Sequence, residues 1–158
     1  MSETAAPATH TTLNVRAAVL AWVLPGLGHV SLGDRRRGIF IGGGVLGLFL
    51  AGLLVGGLDV VDRREDHLWF LAQAGAGPVA WIADIANANL VASGRFGELL
   101  QAPHPDPMAP RGTMVQVSSL KSLAHPNEMG TLFAAMAGLM NVVAVLDALS
   151  RRPAETTP

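Results

Sequence analysis

The sequence predicts an all-α integral membrane helical bundle with four membrane segments. Three observations point there. Half of the 158 residues are hydrophobic, while 15% are charged, against roughly a quarter in soluble domains. The charges are clustered, and residues 17–33, 38–58, 67–83 and 129–146 carry none. Each of those stretches approaches the roughly 20 apolar residues that cross a hydrocarbon core. The same figures exclude other classes. A disordered chain would lack the apolar runs. A nucleic-acid binder needs a basic face, yet 11 Lys and Arg stand against 12 Asp and Glu. A disulfide or zinc–thiolate scaffold needs cysteine, and the chain has none.

Residues 1–15 are small, polar and rich in Thr and Ala, which reads as a disordered tail. They make a poor signal peptide, because Pro-Gly-Leu-Gly-His follows the apolar run where a small-x-small cleavage site belongs. Residues 16–58 read as a Gly-rich transmembrane hairpin. Its first arm, 16–33, is interrupted by Pro25, Gly26 and Gly28, so a kink is expected near Leu24. Its second arm, 38–58, repeats small residues at spacing four: Gly38/Gly42, Gly43/Gly47/Ala51 and Gly52/Gly56. Such faces let helix backbones approach closely where no hydrophobic drive separates helix from solvent. The short loop at 34–37 forces the arms antiparallel. Leu substitution at Gly43 or Gly47 is therefore expected to push them apart.

Residues 59–66 form a charged connection. The third segment, 67–93, is interrupted by Gln73, Gly75, Gly77 and Pro78, and Asp84, Asn87 and Asn89 follow. It is read as spanning, with a broken or re-entrant helix as the alternative. Residues 94–128 are a polar loop carrying Pro103, Pro105, Pro107, Pro110 and Pro126; within it 113–123 has the character of a short strand or a surface helix. Residues 129–149 are the last transmembrane helix, closed by Arg151 and Arg152, and 150–158 are a disordered tail.

The run from Pro25 to Gly38, Pro-Gly-Leu-Gly-His-Val-Ser-Leu-Gly-Asp-Arg-Arg-Arg-Gly, followed by an apolar helix, resembles the two-transmembrane-helix domain. The C-terminal runs Glu128–Phe133, Ala137–Asn141 and Leu146–Ala148 are similar to the last helix of uncharacterised bacterial membrane proteins that begin with the same kind of hairpin. At Val30-Ser31 the chain departs from the aromatic pair usual in such hairpins, which weakens interfacial anchoring. The resemblance implies a multi-pass protein of the bacterial inner membrane. It implies no activity.

Candidate chemistry is sparse. Gly26-x-Gly28 lacks the third glycine of a dinucleotide loop, where Ser31 stands, and no Walker-type Gly-Lys-Ser/Thr exists. Pro25, Gly26, Gly28, Gly43, Gly47, Gly52 and Gly56 are read as helix-packing positions. Polar residues in or beside apolar segments are functional suspects, because lipid makes them costly. These are His29, Gln73, Asp84, Asn141 and Asp147. For His29 the structural reading is a hydrogen bond to groups freed near the Pro25 break or in the adjacent turn; the functional one is proton relay. Gln73 and Asp84 share a face if the third segment is one helix, and Asn141 can then meet them along a polar path. His104, Asp106 and His125 do not have metal-ligand spacing. No catalytic residues, metal or cofactor are assigned.

The expected role is therefore non-enzymatic, structural or regulatory, acting through helix packing and partner binding. The alternative is a small transport or channel component. Membrane lipid is the expected partner, with a homo-oligomer or another membrane protein, and no nucleic acid. Arg35, Arg36 and Arg37 are read as topogenic. They can also meet anionic headgroups, although three charges alone give no lipid specificity. With four spans, the Arg35–Arg37 turn and the 94–128 loop are expected in the cytoplasm and both termini outside.

Overall fold

A computed structural model describes residues 13–64, 66–104, 108–119 and 125–151. Of the expected tails at 1–15 and 150–158, residues 1–12 and 152–158 lie outside the described residues, as does Asp106, whereas Val15 opens α1 and Ser150 ends α6. The protein is mostly helical, with one two-stranded sheet. Its elements are α1 (Val15–Val23), α2 (Leu27–Ser31), α3 (Arg35–Gly56), α4 (His67–Ala74), α5 (Pro78–Ala86), β1 (Leu99–Pro103), β2 (Met114–Ser118) and α6 (His125–Ser150). A 3-10 turn covers Leu58–Val60, and a π-turn covers Asn87–Val91.

Two of these helices, α3 and the Pro126–Ser150 part of α6, are long and apolar enough to cross a membrane. They lie antiparallel. Gly52 and Gly56 of α3 meet Gly130 near the start of α6, whereas Arg37 meets Asp147 near its end. The approach is close because both partners are glycine: a Cβ on Gly52 would stand 2.7 Å from the Gly130 carbonyl oxygen.

The first segment does not run through as one helix. Asn14 starts α1 by accepting a hydrogen bond from the Ala17 amide, and its own amide donates to Leu149 O at the end of α6. The helix stops at Val23 before Pro25, where the kink is expected from sequence. Gly26 takes φ 85°, a left-handed conformation that side chains resist, and the chain doubles back as α2. Asp34 then returns to the end of α6, where Arg151 Nη1 lies 3.5 Å from its carboxylate. Thus α1 and α2 form a short hairpin that enters beside α6 and leaves at the same end.

The third segment behaves likewise from the opposite end. Helix α4 runs in until Gly75, which packs on Gly138 of α6. Gly77, at φ 90°, turns the chain, and Pro78 opens α5 at the position where its missing N–H costs least. Helix α5 leads back to the level of Val61 and Arg63. Residues 67–93 are thus not one continuous helix: α4 and α5 are separated at Gly75–Gly77. Among the described residues two helices, not the four segments expected from sequence, are long and apolar enough to cross a membrane. In the 94–128 region, β1 pairs antiparallel with β2, with Gln101 opposite Gln116, so the region is more than a loop. The strand alternative for 113–123 holds over Met114–Ser118.

The interior is built from small residues around Val45, Phe49, Phe70, Ala76, Ala80, Ala134 and Ala137. Pro25, Gly26 and Gly28 are buried against α3 and α1, and Gly52 and Gly56 against α6. Gly43 and Gly47 are not packing positions, contrary to the sequence expectation: both are exposed, and an added Cβ would meet nothing within 4 Å. Spacing four runs along two adjacent faces of α3, and only the one through Gly38, Gly42, Gly52 and Gly56 is turned inward. Gly52→Leu is therefore expected to lower thermal stability, at a cost of about 1–3 kcal/mol from overpacking. Gly43→Leu and Gly47→Leu should leave the melting temperature nearly unchanged. Equal losses at all three positions would contradict this packing.

Candidate functional site

Several of the polar side chains inside the protein answer backbone carbonyls that broken or irregular segments leave without a donor. Asn141, fully buried near mid-length of α6, answers two of them. Its Nδ2 donates to Ala21 O of α1 at 3.3 Å and to Gly75 O after α4 at 2.9 Å. Trp22 Nε1 donates across the same junction to Ala74 O at 3.3 Å. One amide and one indole thus tie together the inner ends of the two short hairpins.

At the Gly56 end, the irregular segment after the 3-10 turn is held by three side chains. Gln73 Nε2 donates to Val60 O at 2.7 Å, and Asn87 Nδ2 to Val61 O at 3.4 Å. Asp84 accepts from the Arg63 amide at 2.9 Å, and its other oxygen is 3.7 Å from Arg63 Nε. The Arg63 guanidinium also stands 5.5 Å above the Trp81 ring, which packs edge-on against Phe70. Gln73 and Asp84 therefore serve the 60–63 backbone, while Asn141 serves a different junction. The expected shared face does not exist, because the chain breaks between them at Gly75–Gly77.

The candidate site lies at the opposite end and centres on Asp147. Its Oδ2 is 2.7 Å from His29 Nε2, 3.1 Å from Arg37 Nη2 and 3.0 Å from Arg151 Nε. Arg151 also reaches Asp34, the residue that caps α3 by accepting from the Arg37 amide. Helix α2 places His29, the first turn of α3 places Arg37, and the last turn of α6 places Asp147 with Arg151 four residues on. His29 is fully buried and Asp147 half-buried; Arg37 is 45% exposed, which leaves most of its guanidinium donors to solvent. An ionised carboxylate only accepts, so His29 donates to it through Nε2. Among the described residues His29 Nδ1, Gln73 Oε1, and Oδ1 of Asn87 and Asn141 are buried without a partner.

Chemically the arrangement is a clamp. It holds three segments remote in sequence through the His29–Asp147 hydrogen bond and the ion pairs of Arg37 and Arg151 with Asp147. Among the described residues no three His, Asp or Glu side chains converge as metal ligands. His29 and Asp147 were each suspects from sequence, but their pairing was not anticipated. The Arg35–Arg37 run was read as a topology signal, and Arg37 is also a structural partner. Arg151 was read only as closing the last helix and Asp34 only as part of the hairpin loop. The spacing of Asp147 and Arg151, one helical turn, was the available signal.

Fold and site together define a mostly helical protein with two helices long and apolar enough to cross a membrane, clamped at one end by a His–Asp–Arg cluster. The chain belongs to the family of unknown function DUF6677, whose model matches residues 16–157. No curated protein and no solved structure matches it.

Two substitutions test the polar framework. Asp147→Ala should destabilise the purified protein on the order of 2 kcal/mol by removing the hydrogen-bond partner of buried His29 and the ion-pair partner of Arg37. Asn141→Leu should cost a comparable amount, because it strands two buried carbonyls. Thermal unfolding that is unchanged in either variant would contradict the assignment.

Proposed function

We propose that this is a multi-pass integral membrane protein of non-enzymatic, structural or regulatory type, acting through helix packing and partners. The observation that carries the reading is the distribution of residues between inside and outside. Leu54, Leu68, Phe40, Leu71, Ile39 and Val143 are 67–87% exposed, while His29, Gln73, Asn87 and Asn141 are buried among Ala and Gly. A soluble protein would reverse this, because large apolar patches in water drive association. Only 28% of the apolar window of α3 and 39% of that of α6 are buried, whereas the core helix of a soluble domain is mostly buried, which supports the reading. Lipid-exposed helices with small interfacial residues and polar bridges between them have this composition.

On this reading α3 and α6 span, while the α1–α2 and α4–α5 hairpins enter from opposite faces and turn back. Broken backbone at membrane depth is tolerated where protein groups satisfy it, and Asn141 and Trp22 do so. The resemblance of residues 25–38 to the two-transmembrane-helix domain supports a bacterial inner membrane. A small transport component is the second reading, favoured by the buried, unpartnered amide oxygens of Gln73, Asn87 and Asn141 among the described residues and by the use of discontinuous helices at substrate sites in transporters. Loss of a measured liposome flux in Asp84→Asn, with folding retained, would favour it over the structural role.

Two spans change the orientation expected from sequence. Arg16, Arg35, Arg36, Arg37, Arg151 and Arg152 then share one side with both termini. Five of the six abut span ends, which is where positive charge sets topology. The termini are therefore cytoplasmic and residues 57–124 lie outside, the reverse of the four-span assignment for the termini. Single cysteines at Ser2, Thr113 and Thr157 test this in a chain without cysteine. An impermeant thiol reagent on intact cells should label position 113 alone. Labelling at 2 and 157 but not 113 would restore the four-span topology, and recovery of the chain in the soluble fraction would end the membrane reading.

A further inference from the structure

Between α3 and α6, on the surface away from the short hairpins, lies a groove of about 440 Å³. Phe40, Ile41, Gly44 and Val45 form one wall, and Met140, Val143 and Ala144 the other. It is apolar along its length and polar at one end only, where Arg37 and Asp147 close it. From Arg37 to Gly44 is two helical turns, roughly 10 Å. Gly44 opens the groove: an added Cβ there would meet nothing within 4 Å.

We infer that this groove is a binding site for one anionic phospholipid, with an acyl chain between α3 and α6 and the phosphate on Arg37. Charge complementarity selects the occupant. Among the described residues, Arg16, Arg35, Arg36, Arg37 and Arg151 stand at this end against Asp34 and Asp147. Arg37 spends one guanidinium nitrogen on Asp147 and keeps the rest for a planar, bidentate partner, which suits a phosphate. The Asp147 clamp holds that guanidinium over the mouth of the groove, so the headgroup site is preorganised. A second copy of the chain would set these arginines against one another, a like-charge cost that disfavours self-association here. Three arginines alone would attract any anionic surface; the groove beside them supplies the registration that makes one lipid a ligand. The inference rests on the membrane reading.

Native mass spectrometry of the full chain, delipidated in mild detergent, tests it with phosphatidylglycerol and phosphatidylcholine as probes. The wild-type protein should retain one phosphatidylglycerol at concentrations where phosphatidylcholine is lost. Gly44→Leu and Val143→Phe, which fill the groove, should abolish that retention; the second variant covers the case in which the first fails to fold. Gly43→Leu, exposed but outside the groove, should retain it. Arg37→Gln should weaken phosphatidylglycerol binding about tenfold, the effect of one lost charge-assisted contact. Equal retention of the two lipids, unchanged binding in both groove-filling variants, or complete displacement by inorganic phosphate would each overturn the site. Loss of a dimer on filling the groove would assign it to a second copy instead. A protein extracted from membranes that binds neither lipid fails this inference alone and leaves its membrane location standing.

Discussion

The structure depends on one buried amide. Asn141 donates to the last carbonyls of two short helices that arrive from opposite ends of the molecule, Ala21 O and Gly75 O. A helix that stops inside a protein leaves carbonyls that water cannot reach, and each such group costs about 1–3 kcal/mol unless it is paired. Placing both broken ends against the same residue satisfies two of these groups with one side chain. That fixes where α1 and α4 stop, and so where α2 and α5 begin. Trp22 adds the reciprocal tie to Ala74 O. The glycines follow from the same constraint. Gly138 lets Ala72 sit on α6, and Gly28 lets α2 sit against α1, so the tips can reach the Asn141 level.

The two ends of the molecule are then closed by different means. At the Gly56 end, side-chain amides and the Asp84 carboxylate satisfy an irregular backbone directly. At the Arg35 end, an ionic cluster joins α2, α3 and α6 through Asp147. The first is a structural repair. The second leaves charge facing outward through Arg37 and Arg151, beside an apolar groove. On the proposed membrane reading this is the level of the headgroups, where such a combination of charge and apolar surface is at home.

Much of the secondary structure was legible because its determinants are local. Pro25, Gly26, Gly75, Gly77 and Pro78 announce breaks through their own backbone restrictions, and the breaks fall there. The long helices follow from uninterrupted apolar runs, with α3 starting a few residues before residue 38 because Asp34 caps it. What the breaks lead to was not legible. A proline kink in a continuing span and a full reversal use the same residues, and only the tertiary contacts of Asn14 and Asp34 with the end of α6 distinguish them. The glycine faces illustrate a similar limit. Gly43 and Gly47 have the same spacing as Gly52 and Gly56, and which face turns inward depends on where α6 lies. The His29–Asp147 pair joins positions far apart in sequence, so no local pattern could reveal it.

Helices α1 and α2 turn back, so that Leu13 and Arg36 stand at the same end of the molecule. A distance between spin labels at Leu13→Cys and Arg36→Cys, both exposed positions, measures this directly in the protein reconstituted in bilayers. The account predicts a separation well below the roughly 30 Å of a hydrocarbon core. A separation of that thickness or more would mean that the first segment spans, and would contradict it.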